Sequence, residues 1–303
     1  MCAAPALPTQ DSIVTEGMKK AGYSSPSAPQ ITRAKDEWMQ EVKNDIWTTA
    51  KDLKFLQTTN ILVLTEGVGL VDYPSDFSSD LSMQLLEPTH FGVCQAGGST
   101  TTAKLAATED MTNAFAVGKE IVIYLTADKT TTYSGYMSNF DTTTKIATFS
   151  PAILVSPDAT YSYLIVDAHK PITQQQIIRL DELYLYAERG TPYHFYPVGS
   201  ANYGQFYLYP VPYWNDSIPR AIRQRYYANL MTLDLAGTLM STLYSRWRSL
   251  FIQGIFVKQL QDDDDKRIDK EERVYFKKLA DMISQETYGS DLSNLQAMEE
   301  NNY

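Results

Sequence analysis

From Gly92 to about Asp167 apolar residues alternate with small polar ones, and this stretch constrains the fold more than any other part of the chain. Ile121–Leu125, Tyr133–Met137, Lys145–Phe149 and Tyr161–Val166 each read as a strand. Thr- and Asp-rich turns at 126–132 and 139–144 separate them. Short strands recurring at roughly ten-residue intervals predict a small all-β module. Helical periodicity flanks it on both sides, so the module is expected to be an insertion spanning 91–169.

The flanking pattern starts with a helix over 31–57. Thr32 is its expected N-cap, and Trp38, Val42, Ile46, Thr49, Leu53 and Leu56 recur at spacings of three and four while charges fill the other face. Asn60–Thr65 reads as a strand, Glu66–Gly69 as a turn and Leu70–Pro74 as extended chain, with a short strand expected within Phe77–Leu86. After Pro171 a helix is expected from Thr173 to about Arg189, closed by Gly190. Strands over 191–197 and 204–212 enclose a turn, and a third covers Arg220–Ala228. Helices from about Ala236 to Leu260 and from Lys266 to about Thr287 complete the pattern. The expected fold class is α+β, a helical core with a small antiparallel sheet and an inserted all-β module. Its parts are a polar, proline-bearing N-terminal arm (1–30), a helical core (31–90 and 170–288), the β-rich insertion (91–169) and a C-terminal tail (289–303).

Composition narrows the function classes. The 303 residues are 44% hydrophobic and 20% charged, enough to bury a core. The formal charge of −10 opposes a free-standing phosphate-backbone binder. Two cysteines, Cys2 and Cys94, are too few for a disulfide scaffold or a cysteine zinc site. No run approaches the ~18 apolar residues of a membrane span, and Met1–Pro5 lacks the basic and apolar regions of a signal peptide. Twenty-one tyrosines stand out, because tyrosine combines large contact area with a hydroxyl that tolerates water and is enriched at interfaces.

The sequence carries no familiar catalytic signature. His90, His169 and His194 form no HxxxH or HExxH pair, so no helical metal spacing exists; His90 and His169 flank the insertion and could lie near each other. GxSxG, SxxK and the GxxxxGK[ST] phosphate loop are absent, and nothing beside Cys94 would activate its thiol. The acid run Asp262, Asp263, Asp264 and Asp265 fails as an EF-hand, because the required glycine and glutamate are Arg267 and Arg273. It reads as a solvated turn that caps the last helix, or as an acidic patch for a basic neighbour. No catalytic, cofactor-binding or metal-binding residue is expected. On the strand, Arg223 and Arg225 share a face, open to intrachain pairing, inter-subunit pairing or contact with DNA.

Several motifs occur in a telling order. Thr32-Arg33 with Trp38 opens the first helix, Gly67 or Gly69 sits in the turn, and Tyr73-Pro74-Ser75-Asp76-Phe77 follows. Later come Phe206-Tyr207-Leu208-Tyr209-Pro210-Val211-Pro212, Tyr226-Tyr227-Ala228-Asn229-Leu230 and Leu233-Asp234. This order resembles the head–tail adaptor proteins of tailed bacteriophages, the group that includes tail tubular protein A and the head-completion ring proteins. The Tyr73 segment departs from that pattern by lacking the leucine before its proline. The resemblance implies a virion structural protein, assembled in the bacterial host cytoplasm, that acts through static contacts and not as an enzyme. It implies a homo-oligomeric ring, commonly a dodecamer, docked to the portal protein and joined to tail or nozzle proteins, with its channel near phage DNA and no membrane partner. Tyr207, Tyr209, Arg223, Arg225 and Asp262–Asp265 are the candidate interface residues. Two alternatives stay open: another tail or decoration component whose β module binds host glycan, and an enzyme whose site is assembled from scattered Asp, Tyr and Arg.

Overall fold

The computed structural model describes residues 9–50, 53–175, 188–198, 204–214, 216, 218–231 and 245–288. The chain forms two compact units. One draws on Met1–Thr58, Asp76–Ser79 and Tyr227–Tyr303, the other on Thr59–Ser75 and Asp80–Tyr226.

The first unit is helical. Helix α1 (Gln10–Ala21) lies within the segment expected to be a polar arm. Thr9 caps it, its hydroxyl accepting from the Ser12 amide at 3.3 Å, and Gly22 at φ +116° ends it. Ile13, Val14 and Met18 form a stripe at helical spacing and are fully buried, so the segment belongs to the core. The next helical run begins at Ser27 rather than at Thr32, because Ser27 and Gln30 make a capping box. It passes from α2 (Ala28–Arg33) through a π turn at Ala34–Trp38 into α3 (Met39–Thr49). Leu53 and Leu56 lie beyond its end, around a 3-10 turn at Lys54–Leu56, yet both are buried in the same core. Beyond the short α4 (Asn113–Ala116) of the other unit come α5 (Arg248–Asp262) and α6 (Ile268–Tyr288), and Trp38, Met39, Val42 and Ile46 pack with their residues in this core. Gly254 of α5 permits this approach, since a Cβ there would stand 2.6 Å from Val42.

The rest is sheet, and here the expected fold class is corrected. A small sheet beside a helical core does not describe the chain: among the described residues twelve strands join in one sheet. They are β1 (Gln57–Val63), β2 (Leu70–Asp72), β3 (Phe77–Val93), β4 (Gln95–Ser99), β5 (Thr102–Lys104), β6 (Glu120–Leu125), β7 (Thr132–Asp141), β8 (Ile146–Ser150) and β9 (Tyr161–Gln174), with β11 (His194–Val198), β12 (Gln205–Tyr209) and β14 (Ala221–Ala228). A separate pair is formed by β10 (Arg189–Gly190) and β13 (Val211–Pro212). The main path runs β1-β14-β3-β9-β6-β7-β8-β5-β4, while β11, β12 and β2 branch from β9. From β3 to β4 along this path, and among β11, β12 and β2, every pairing is antiparallel, whereas β11 lies parallel to β9.

The reason is the length of β3 and β9. Their ladder runs from Met83↔Ile172 to Val93↔Ser162, through the expected boundaries at 91 and 169. A bulge around Pro88 absorbs the proline, which cannot donate to a ladder. Strand β9 also continues through Thr173 and Gln174, where a helix was expected to begin.

Each face of the sheet buries its own core. On one face Ile121, Ile123, Phe140, Phe149, Tyr163 and Ile165 pack together. On the other Ile61, Val63, Leu86, Val122, Tyr124, Leu164, Val166 and Ala221 do. The second face closes on itself, because the Thr132 hydroxyl donates to the Ile61 carbonyl at 2.7 Å and the Val63 amide to Lys129 at 3.4 Å. The rest of the helix expected to reach Arg189, the turn at 199–203, the start of the 236–260 helix, Leu233-Asp234 and the 289–303 tail lie outside the described residues.

Candidate functional site

Strand β6 opens with an acid at the head of the run Glu120-Ile121-Val122-Ile123-Tyr124-Leu125, and alternation puts Glu120 on the face of Val122 and Tyr124. Its side chain is only 2% exposed. Arg223 and His169 meet it there, Arg223 pairing with one carboxylate oxygen and His169 Nε2 lying 3.2 Å from the other. Arg223 is thus consumed inside the chain. Arg225, two residues on along β14, is exposed and has no hydrogen-bond or ion-pair partner among the described residues. The two candidate arginines share a strand face as expected and do different work.

The tyrosines of β12 sit in an aromatic patch. Tyr207 lies against Gly69, where a Cβ would stand 2.9 Å from its ring, so the ring packs directly on the turn glycine of the motif. The Tyr209 hydroxyl donates to Glu188, and this hydrogen bond pushes its pKa up to about 12. Tyr193 packs edge-on against Tyr209 at 6.0 Å. Tyr73, from the shorter motif, packs in a tilted contact on Phe206 at 4.8 Å and donates at 2.9 Å to Asp80. Gln224 donates to the same carboxylate at 2.7 Å.

The four aspartates divide as well. Asp262 ends α5 and pairs with Arg33 at 2.8 Å, while Asp263 accepts from Gln259 at 3.0 Å and from Tyr23 at 3.4 Å. Asp264 adopts φ +49°, a conformation that aspartate tolerates better than most side chains. Asp265 accepts from the Arg267 amide at 2.8 Å, and contact with the Arg267 guanidinium holds its pKa below the ordinary carboxylate value. The run is therefore a turn between α5 and α6, with only Asp264 lacking a partner among the described residues.

A third polar cluster lies on the other face of the sheet. His90 and His169 lie on the paired strands β3 and β9, but each serves a different carboxylate. His90 Nδ1 is 2.6 Å from Glu109, the Tyr163 hydroxyl donates to Glu109 at 2.7 Å, and the Asp110 amide does so at 3.1 Å. His90, Glu109 and Asp110 could offer three ligand atoms to a cation, all within 4.8 Å of one another. The fit is poor. Ligand atoms about 2.0–2.1 Å from a tetrahedral ion stand more than 3 Å apart, whereas 2.6 Å is a direct hydrogen bond, and Glu109 already accepts from three other partners or backbone groups. Tyr163 is pushed upward mainly by burial and then by Glu109, so it stays a donor. Nearby Cys94 is buried, and burial raises its thiol pKa to about 12. These groups can buttress a loop; the thiol remains protonated at neutral pH.

Sequence reasoning missed Glu120 and Glu109. For Glu120 a signal existed, since an acid heading a strand apolar on both faces must find partners or carry a large burial cost. Glu109 carries no comparable local signal. No family model matches the chain, and no curated protein matches it.

Proposed function

We propose that this chain is a virion structural protein, a ring-forming head-to-tail adaptor that docks to the portal and links it to the tail through static protein–protein contacts. The observation that carries the reading is the ordered set of motifs from Thr32-Arg33 to Tyr226-Tyr227. Its residues act in packing: Trp38 is buried among α-helices, Gly69 lies under Tyr207, Tyr73 packs against Phe206, and Tyr226 is 4% exposed. A contact protein needs such a rigid frame and outward-facing aromatic area. Phe91, Tyr136, Tyr193 and Phe276 supply the latter, each more than two-fifths exposed.

Native mass spectrometry on the purified full chain tests this. The expected result is a closed oligomer, a dodecamer by resemblance to the family, or a ring that forms when purified portal protein is added. A chain that stays monomeric over the accessible concentrations, with and without portal, ends the proposal.

A further inference from the structure

The outward face of α6 is basic, in a chain whose formal charge is −10. Lys270, Arg273 and Lys277 recur at spacings of three and four, so they form one stripe about 10 Å long. The stripe lies on the side of the helix opposite the buried Tyr275, Leu279 and Met282. All three cations are exposed, and none meets a carboxylate at ion-pair distance among the described residues. Asp269 and Asp281 stand one turn away at either end, and neither pairs with the stripe.

Two more cations extend this surface. Lys278 donates to the Ser249 carbonyl at 3.1 Å, and Lys20 of α1 donates to the neutral Gln253 side chain. Burial first and the charge of Lys20 second hold the Lys278 pKa below the ordinary lysine value. Like charges therefore gather here without enough carboxylate to offset them. Apolar side chains border the stripe as well: Phe276 is 51% exposed and Val274 38%. A phosphate backbone is met by cations alone. A basic stripe edged with apolar area suits an acidic polypeptide that also carries apolar side chains.

The chain itself contains such a segment. Residues 289–303 carry Asp291, Glu299 and Glu300 and no Lys, Arg or His, so 15 residues hold three of the net ten negative charges. Leu292, Leu295 and Met298 recur between them at intervals of three. We propose that segment 289–303 of a neighbouring copy docks along the outward face of α6, its carboxylates pairing with Lys270, Arg273 and Lys277 and its apolar side chains lying against Phe276 and Val274. The copy as donor rests on the ring reading above; the charge pairing does not. A closed ring joins one patch of each subunit to a different patch of the next, and an exchanged segment makes such a contact. It also sets opposite charges between copies whose net charge otherwise drives them apart. Fully extended, 15 residues span at most about 50 Å, enough to reach a neighbour. Turning back onto its own helix would hold Asp291 beside the last carbonyls of α6, where negative charge is disfavoured.

Two measurements on the full chain decide it. Nitrogen-15-labelled and unlabelled chains are mixed in equal amounts before assembly and treated with a carbodiimide, which joins a carboxylate to an amine in contact with it. Mass spectrometry should find Asp291, Glu299 or Glu300 linked to Lys270 or Lys277, with about half of the linked pairs combining the two isotopes. The exposed Lys54 should stay unlinked to the segment. No link to Lys270 or Lys277, or equal linking to Lys54, overturns the docking face. Links confined to one isotope place the segment on its own helix and overturn the neighbouring copy as donor. In native mass spectrometry, the triple variant Asp291→Asn, Glu299→Gln, Glu300→Gln should assemble only at about tenfold higher protein concentration or more, the effect of three exposed ion pairs. Its melting temperature should match that of the wild type. Assembly equal to wild type overturns the segment as a ring contact. If the wild type itself never assembles, the ring reading falls and the donor with it, while the links still decide the docking face.

Discussion

At the scale of single residues, burial separates side chains that share a sequence signature. Arg223 and Arg225 look alike in the sequence, yet one neutralises a carboxylate that is 2% exposed and the other faces outward. Removing one partner of a buried ion pair strands the other charge and costs about 3–5 kcal/mol. Arg223→Ala is therefore expected to destabilise by about 3 kcal/mol in urea unfolding, while Arg225→Ala stays within about 0.5 kcal/mol. Glu120→Gln in the Arg223→Ala background should recover much of that loss. Asp80 behaves in the opposite way to an ion-paired acid, because burial lifts its pKa above the ordinary value despite donors from Gln224 and Tyr73. The folded state then holds its proton to higher pH than the unfolded state does. Its contribution is greatest below the ordinary aspartate value of about 4 and declines as pH rises through the folded value. Asp80→Asn should flatten that decline in a series of unfolding midpoints against pH; an unchanged slope would place its cause elsewhere. None of these pairings was legible beforehand, since Glu120 and Arg223 are brought together by sheet order alone.

At the scale of elements, legibility followed the regularity of the pattern. Strand β6 and the first part of β9, residues 161–166, could be read because apolar residues dominate there, and α6 because its amphipathic period is long, whereas the polar continuation of β9 to Gln174 was not read. Strand β3 was read too short, since Pro88, His90 and Gly92 break its alternation and only the pairing with β9 carries it to Val93. Helix α1 was obscured by the prolines and serines around it, although Thr9, the Ile13–Val14–Met18 stripe and Gly22 were the local signals of a capped helix. Helix packing gives a prediction of its own. Gly254→Ala gains about 1 kcal/mol of helix propensity, but its methyl would press on Val42 and the Tyr275 ring, both buried. Overpacking costs about 1–3 kcal/mol, so a net loss of up to about 2 kcal/mol is expected as a lowered denaturant midpoint with unchanged m-value.

For the whole molecule, the sequence suggested helices interrupted by a β module, and the sheet proved to be the larger structure. The module and its surroundings share one ladder and one buried face, to which Val122, Tyr124, Leu164 and Val166 contribute from inside 91–169 and Ile61, Leu86 and Ala221 from outside. Replacing 91–169 with a short linker should therefore abolish cooperative unfolding and give aggregated material in size-exclusion chromatography; a folded, monodisperse product would count against the shared face. Resemblance located the motifs, and composition alone would not have distinguished this frame from many others. The division of the helical unit among separate segments also has a consequence during synthesis. Helix α1 leaves the ribosome early, but Ile255, the side chain nearest Gly17, follows only after roughly 230 more residues, which takes about 10–50 s at ordinary elongation rates. For that interval Ile13, Val14 and Met18 have no α5 to cover them, so nascent chains are an early point at which a chaperone would find an exposed apolar stripe.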